Sequence, residues 1–461
     1  MDDADGAVLH CLPMTRNPTL AIAEYAASTS IDKIPPAVRE FAKQVIFDEM
    51  ASAQFGRRSL AGDLAARYAL SQGGAPEALV LGTRWRIPAQ YAALANGAAG
   101  HGEEVDGAHV IGGHPGATLV HTAVAVAERQ RSSGAELLNA VVLAYDIGVR
   151  IVAACGGKFS VRSRLHLYSD FLYALGGAAA VSRLMGLDPM RYCHAMALCT
   201  FQTNALGSLF LEKRHISKSL CNGQFAQAGV TAAQMAAAGL EGVEDVLGAR
   251  AGVLDAWGTE GGAAALTHRL GDDWSILGAN FKFINAGYPI HSAVEAACTL
   301  QQTHQLTADS IESVHVGMPR EGVRTVDNRA MHNISVQDMV CAALAQGGLS
   351  LRELPFPSIL QDPGFVRLRA RITVGVDADL DRSQPQGRGA NVVIRTTSGL
   401  AVSHGVQAPR GHSSRGGVTW AELEDKWRDG LPGCDIGKMV ELARRLDDVE
   451  DVRALADAFG Q

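Results

Sequence analysis

The stretch KSLCNGQFAQAGVTAAQMAAA, residues 218–238, decides the fold class. Alanine is the best helix former, so this composition predicts a helix whose small side chains let neighbouring helices pack closely. Apolar residues recur at helical spacing through most of the chain before residue 278. An all-helical first domain, residues 1–278, is therefore expected. After a first helix that starts near Pro18, periodicity and cap signals predict further helices at 35–56, 59–71, 88–99, 117–130, 134–154, 169–187 and 189–206.

The sequence pattern changes near residue 280. Apolar and polar residues alternate in several short segments, and Ser398-Gly399 between two of them predicts a hairpin. The strands are expected at 311–318, 371–376, 392–397 and 400–405, with helices at 289–303 and 336–344. This makes residues 279–407 a smaller α+β domain. Because helical patterns return at 419–428 and 438–447, residues 408–461 are expected to pack back on the first domain, with the α+β domain as an insertion.

Composition excludes several classes of protein. The chain has 461 residues, of which 47% are hydrophobic and 19% charged, a balance that excludes a disordered protein. A net charge of -7 argues against partners such as nucleic acid or an anionic membrane, since both attract basic surfaces. We find no secretory signal in residues 1–14 and no apolar stretch of transmembrane length. Eight cysteines without a Cys-x-x-Cys pair indicate reduced thiols and a cytoplasmic protein.

The first candidate site is the glycine-rich connection at 96–116. Between His101 and His114 it holds three histidines and three carboxylates. An acid–base pair of Glu104 or Asp106 with His114 is one interpretation, because imidazole exchanges protons near neutral pH. A divalent metal site is a second, although the spacing matches no known zinc motif, and a solvated loop with capping acids is a third.

Two further segments concentrate cations. Lys213, Arg214 and Lys218 precede a long helix, where they could hold a carboxylate or phosphate together with the helix N-terminus, or form a solvated basic turn. Asn222 would share a helix face with Lys218. Lys282 lies between two phenylalanines near the domain boundary. It is either a partly buried ammonium in an interdomain cleft or a lysine whose head reaches water.

Together these segments resemble the MmgE/PrpD family, which includes 2-methylcitrate dehydratase, cis-aconitate decarboxylase and iminodisuccinate epimerase. The likeness covers about residues 19–428 in the family's order. Its carriers are the following motifs: Ala95-Asn96-Gly97, His101, Glu104 and Asp106, His114-Pro115-Gly116, His166, Met185-Gly186-Leu187-Asp188-Pro189, Ser217-Lys218-Ser219-Leu220, Asn222-Gly223, Phe281-Lys282, His291 and Pro409-Arg410-Gly411.

The resemblance implies a mainly α protein: a large all-helical domain formed by both chain ends, with an inserted smaller α+β lid domain. It also implies a homodimer and a site between the domains without metal or organic cofactor. The catalytic positions it implies are Glu104, His114, His166, Lys218 and Lys282. Substrate contacts are expected from Asp106, Lys213, Arg214, Asn222 and His291. Three positions depart from the family: Gly107 replaces a frequent aspartate, Ala108 a threonine and Asp338 a tyrosine of the lid.

The residues and the resemblance indicate one kind of chemistry. Removing a proton next to a carboxylate builds negative charge, so the site needs a base and nearby cations. Glu104 or His114 could be the base, and Lys218 and Lys282 could stabilise the charge. A dehydratase acting on a small hydroxylated di- or tricarboxylate is the first hypothesis. An epimerase or decarboxylase of a related polycarboxylate, and a noncatalytic carboxylate-binding protein, are the alternatives.

Overall fold

The computed structural model describes residues 17–351, 358–382 and 388–460. Most of the first part is helical, as predicted. Asn17 caps the first helix by accepting from the backbone N–H of Leu20, and proline occupies the first turn of several others. The helices are α1 Pro18–Ser28, α2 Pro36–Gly56, α3 Leu60–Ser71, α4 Ala89–Gly100, α5 Pro115–Gln130, α6 Gly134–Ala154, α7 Gly157–Leu165, α8 Tyr173–Leu184, α9 Pro189–Thr200, α10 Ser217–Ala237, α11 Val253–Trp257 and α12 Gly262–Thr267.

Two short strand pairs interrupt this helical part, which the helical periodicity does not predict. Strand β1 (Ala78–Leu79) pairs with β2 (Arg86–Ile87), and β3 (Ala108–His109) pairs with β4 (Ala279–Asn280). Both pairs are antiparallel. In the second, Ala108 lies opposite Asn280, so the glycine-rich connection is joined to the segment that precedes Lys282.

The middle of the chain forms a four-stranded sheet with helices, in the order β6-β5-β7-β8. β5 is parallel to β6 and antiparallel to β7, and β7 and β8 form the predicted hairpin. The elements are α13 His291–His304, β5 Ile311–Met318, α14 Arg320–Val326, α15 Val336–Gln346, α16 Pro363–Arg369, β6 Ile372–Val376, α17 Ala378–Arg382, β7 Ala390–Thr396 and β8 Ala401–Val406. Residues 384–389, whose polar and glycine-rich composition predicts a loop, lie mostly outside the described residues.

Helices return at the end of the chain: α18 Trp420–Gly430, α19 Ile436–Arg444 and α20 Arg453–Ala458. Both α18 and α19 contact α2. Buried apolar residues at 22–281 and 423–459 form one cluster, which Leu351 joins, and those at 284–406 form another. The mainly α fold class is thus confirmed, while the domain boundaries after residues 278 and 407 stay predictions.

Glycines set the distance between the central helices. Gly97 of α4 lies against Gly223 of α10, and a Cβ added at Gly97 would lie 3.0 Å from the Cα of Gly223. A Cβ added at Gly223 would lie 2.2 Å from the carbonyl oxygen of Leu94. The two helices can approach this closely only without side chains at the crossing. The crossing brings the start of α10 next to the end of α4, where the candidate site lies.

The expectation that no apolar stretch reaches transmembrane length is wrong for α6. This helix has 21 residues and a mean hydropathy of 1.7 over its most apolar window. However, 94% of that window is buried inside the protein, as in the core helix of a soluble protein. The seven described cysteines are all free, in line with the expected reduced thiols, and Cys11 lies outside the described residues.

We predict that Gly223→Ala destabilises the protein by about 3 kcal/mol, because the added methyl group meets the backbone of α4. Gly437→Ala is the matched control. Gly437 lies in α19 and is exposed, and a Cβ added there would make only an ordinary contact, 3.6 Å from Oδ1 of Asp435, so alanine should stabilise the helix by about 0.5 kcal/mol. Chemical denaturation checks both variants. Equal stability of the two variants would contradict the close crossing of α4 and α10.

Candidate active site

The site forms where four segments of the chain meet. The turn after α4 carries His101, Glu104 and Asp106, and His114 is the N-cap residue of α5. Lys218 is the second residue of α10. Lys282 follows β4 by two residues and is brought in by the β3–β4 pair. We call these six residues the floor of the site.

Glu104 is the centre of the floor. It is buried and has a left-handed backbone with φ 55°. Its Oε1 accepts a hydrogen bond from Lys218 Nζ at 2.7 Å, and its Oε2 accepts one from Lys282 Nζ at 2.9 Å. Lys282 also donates to the backbone carbonyl of Glu104 at 3.1 Å and to Asp106 Oδ1 at 3.3 Å. The ammonium of Lys282 is therefore fully buried and does not reach water.

Asp106 orients two imidazoles. Its Oδ2 lies 2.9 Å from Nδ1 of His101 and 3.1 Å from Nδ1 of His114. The carbonyl oxygen of Gly107 lies 3.3 Å from the same His114 nitrogen. These acceptors assign the His114 proton to Nδ1, which leaves Nε2 free to accept. His114 Nε2 lies 3.4 Å from Lys218 Nζ, so a base and an ammonium stand side by side.

The charges of the floor follow from burial and pairing. Burial opposes the negative charge of Glu104, but Lys218 and Lys282 outweigh it and hold the pKa of Glu104 well below its usual range. Burial likewise opposes the charge of Asp106, and His101 and Lys282 hold its pKa well below the usual range. Burial lowers the pKa of His114, so this imidazole is neutral. Burial also opposes the charge of His101, but Asp106 and Glu104 together outweigh it and raise the pKa of His101.

The floor opens into a pocket with about 780 Å³ of free volume, counted out to its open mouth. The space that the centre of a water molecule can occupy inside it is about 70 Å³, so the pocket is narrow. One part of the lining is apolar: Leu209, Phe210, Pro289, Met331 and Ile334. Another part, which we call the cationic wall, consists of Lys158, Arg162, Arg329 and Arg388. The two chain segments on either side of residue 279 both contribute to the pocket.

The floor also has donor atoms that suit a divalent metal. One ligand atom from each of His101, Glu104, Asp106 and His114 lies within 4.8 Å of the others. However, two ammonium groups already hold the carboxylates of Glu104 and Asp106. A cation bound between them would be repelled by Lys218 and Lys282, so these residues fit a bound metal poorly.

Five residues expected in the site lie elsewhere. His166 is the exposed C-cap residue of α7. Lys213 and Arg214 are also exposed and do not line the pocket. Asn222 is buried beneath the pocket and accepts from the hydroxyl of Tyr168 at 3.4 Å. His291 is buried but lines a second groove, with its Nε2 3.0 Å from the carbonyl oxygen of Ala286. Their site roles stay predictions.

The departures from the family have structural counterparts. Gly107 donates its backbone N–H to Oε1 of buried Glu49 at 2.8 Å, and a Cβ at Gly107 would lie 2.8 Å from the same oxygen. Glu49 thus occupies the space that an aspartate at 107 would need. Burial, together with Asp106, raises the pKa of Glu49 well above its usual range. Ala108 lines the pocket, whereas Asp338 pairs with Arg369 and His332 outside it.

Sequence reasoning missed the cationic wall and Glu49. No motif marks them: Lys158 and Arg162 lie on the short helix α7, Arg329 lies between α14 and α15, and Arg388 precedes β7. They meet only through tertiary structure.

Sequence comparison identifies the family. The profile of the MmgE/PrpD N-terminal domain matches residues 20–264, and that of the MmgE/PrpD C-terminal domain matches residues 285–435. The chain belongs to the MmgE/PrpD family. The relatives of this MmgE/PrpD protein include cis-aconitate decarboxylase of Aspergillus terreus, 24% identical over 85% of each chain. The human cis-aconitate decarboxylase is 24% identical over 73% of this chain and 72% of the relative. The cis-aconitate decarboxylase-like protein oryM of Aspergillus oryzae is 23% identical over 89% and 90%.

We predict that Glu104→Gln lowers the free energy of unfolding by about 3 kcal/mol at pH 7, because it takes the carboxylate away from the partly buried ammonium of Lys218 and leaves the fully buried ammonium of Lys282 with Asp106 alone. The pKa of Glu104 is lowered in the folded state, so its contribution is fully present above the unfolded pKa of about 4.3 and is lost as the pH falls below it. The difference from wild type should be constant from pH 8 to 5 and shrink below about pH 4.

Denaturation curves across this pH range check the prediction, with Glu450→Gln as the control because Glu450 is exposed. A difference that grows on acidification would contradict the pairing.

Proposed function

We propose that this MmgE/PrpD protein is a lyase that acts on a small polycarboxylate with its own acid–base groups. The observation that carries the proposal is the contact between His114 Nε2 and Lys218 Nζ, 3.4 Å apart, at the bottom of a pocket with a cationic wall. A neutral imidazole beside an ammonium can exchange a proton with a substrate carbon while the cation stabilises the charge that develops.

His114 suits the role of base better than Glu104. Both carboxylate oxygens of Glu104 accept hydrogen bonds from lysines, and its pKa is held well below the usual range. Glu104 therefore positions the ammonium groups. Asp106 would stabilise the imidazolium that forms when His114 Nε2 takes up a proton, because its carboxylate contacts the other ring nitrogen.

Decarboxylation is the reaction that the relatives favour, since their names give cis-aconitate decarboxylase. In this reaction the bond between a carboxyl group and the carbon skeleton breaks. Carbon dioxide leaves, and the electron pair of the broken bond stays on the skeleton. A proton from Lys218 Nζ then adds to carbon, and the amine regains a proton from solvent at the pocket mouth. The apolar side of the pocket would favour the loss of charge from the departing carboxylate.

Dehydration is a second candidate, favoured by the pairing of a base with an acid. His114 Nε2 would take the proton next to a carboxylate, and Lys218 would donate a proton to the leaving hydroxyl, which departs as water. The proton on His114 then returns to Lys218 across the 3.4 Å contact, so the protein ends unchanged. Return of the proton to the opposite face of the carbon would instead give epimerisation. A homodimer and a cytoplasmic location remain parts of the proposal.

We predict that Lys218→Met lowers kcat/KM at least about 100-fold, because it removes the ammonium that stabilises the developing charge. The matched control is Lys438→Met, at an exposed lysine of α19, which should leave kcat/KM unchanged. Circular dichroism checks that both variants fold. A loss of less than about threefold in Lys218→Met would refute the role of this lysine.

The reaction itself is tested by proton NMR in deuterated water with a panel of polycarboxylates that includes cis-aconitate, citrate and 2-methylcitrate. Decarboxylation is expected to give a product with one carboxyl group fewer. New alkene signals from a hydroxylated substrate would establish dehydration, and deuterium uptake with inversion would establish epimerisation. The absence of any change across the panel would support a carboxylate-binding protein without catalysis.

A further inference from the structure

The cationic wall carries more charge than the protein balances. None of Lys158, Arg162, Arg329 and Arg388 has a carboxylate within 4.0 Å among the described residues. By contrast, the two lysines of the floor are held by Glu104 and Asp106. A group of unpaired cations around a pocket is typical of a site for an anionic ligand.

The wall divides into two pairs. Arg162 and Arg329 both approach Thr325 and Phe210: Arg329 donates to both backbone carbonyls, and Arg162 lies over the Phe210 ring and 3.5 Å from the Thr325 hydroxyl. Lys158 and Arg388 form the second pair. Neither the ammonium of Lys158 nor the guanidinium of Arg388 has a hydrogen-bond acceptor in the described part of the chain. Arg388 lies over the ring of Phe159, 5.0 Å from its centroid.

Lys158 is held in place by the same loop that positions His114. Its side chain lies against Gly112, where an added Cβ would be 2.5 Å from the Cβ of Lys158. The next residue, Gly113, lies against Asp170, whose Oδ2 accepts from the backbone N–H of His114 at 2.7 Å. The loop therefore sets the separation between the reacting centre and Lys158. Burial, together with the charge of Arg388, lowers the pKa of Lys158 to about 7.

We propose that Lys158 and Arg388 form an anion subsite that binds a carboxylate of the substrate remote from the carbon that reacts. The floor then binds the reacting end of the substrate, and Arg162 with Arg329 can take a further carboxylate. This inference rests on the proposed function, because the ligand is taken to be a polycarboxylate. Lys158 and Arg388 are thus specificity-determining residues that favour a third carboxylate.

The two residues come from different parts of the chain. Lys158 lies on α7, next to the apolar cluster at 22–281, whereas Arg388 lies two residues before β7 of the four-stranded sheet. A carboxylate bound between them bridges these two parts across the pocket. It also favours the charged form of Lys158, which burial and the charge of Arg388 disfavour in the empty pocket.

The test compares two saturated probes that differ by one carboxylate, glutarate and tricarballylate, by isothermal titration calorimetry. Wild type should bind tricarballylate at least about tenfold more tightly than glutarate, since a hydrogen-bonded charge contributes about that factor. Lys158→Met and Arg388→Gln should each reduce this ratio to about threefold or less. Lys438→Met and Arg395→Gln remove exposed cations outside the pocket and should keep the wild-type ratio.

An unchanged ratio in both subsite variants, or equal binding of the two probes by wild type, would overturn the subsite. Thermal unfolding of each variant shows that a changed ratio does not come from unfolding, and the two variants alter opposite sides of the pocket. Turnover is read separately by NMR. If the ratio falls as expected but no polycarboxylate is converted, the subsite stands and the lyase proposal fails. If turnover occurs and the ratio is unchanged, the lyase proposal stands and the subsite fails.

Discussion

The buried charge of Glu104 is the constraint on which the rest of the site depends. A carboxylate removed from water is stable only with close partners, and here two lysines from distant parts of the chain supply them. Lys218 reaches it because α10 crosses α4 at two glycines, and Lys282 reaches it because β3 pairs with β4. The helix crossing and the short strand pair therefore have the same effect: each brings an ammonium group to the carboxylate of Glu104.

The floor and the cationic wall differ in how their charges are balanced. This difference suits the floor to handling protons and the wall to binding the carboxylates of a ligand. On the floor, protein carboxylates hold the lysines at fixed positions, so the groups that handle protons are ordered before a ligand arrives. On the wall, the cations lack such partners among the described residues, so they gain most from a ligand's own carboxylates. Salt will weaken the solvent-facing wall more than the buried floor.

Much of the fold can be predicted from the sequence because its signals are local. Helical periodicity gives α6 its bounds, and alternation gives β5. The strands β1 to β4 have only two residues each, too few for any period, and α7 has no apolar face to mark it. The floor is predictable in part because the 96–116 connection places its acids and histidines close together in sequence. The wall is not, since its residues at 158, 162, 329 and 388 are brought together only by tertiary packing.

A lysine of α18, outside the floor, contacts the backbone next to Glu104. Lys426 of α18 donates to Asp48 of α2 at 2.7 Å and lies 3.4 Å from the carbonyl oxygen of Val105, next to Glu104. During synthesis, α4 and α5 emerge long before Lys282 and Lys426 exist. Glu104 and Lys282 are 178 residues apart in sequence, so their ion pair forms only after the intervening chain has been synthesised. A ribosome-bound chain that ends before α18 would hold all six floor residues but would lack the contacts of Lys426 with Asp48 and Val105.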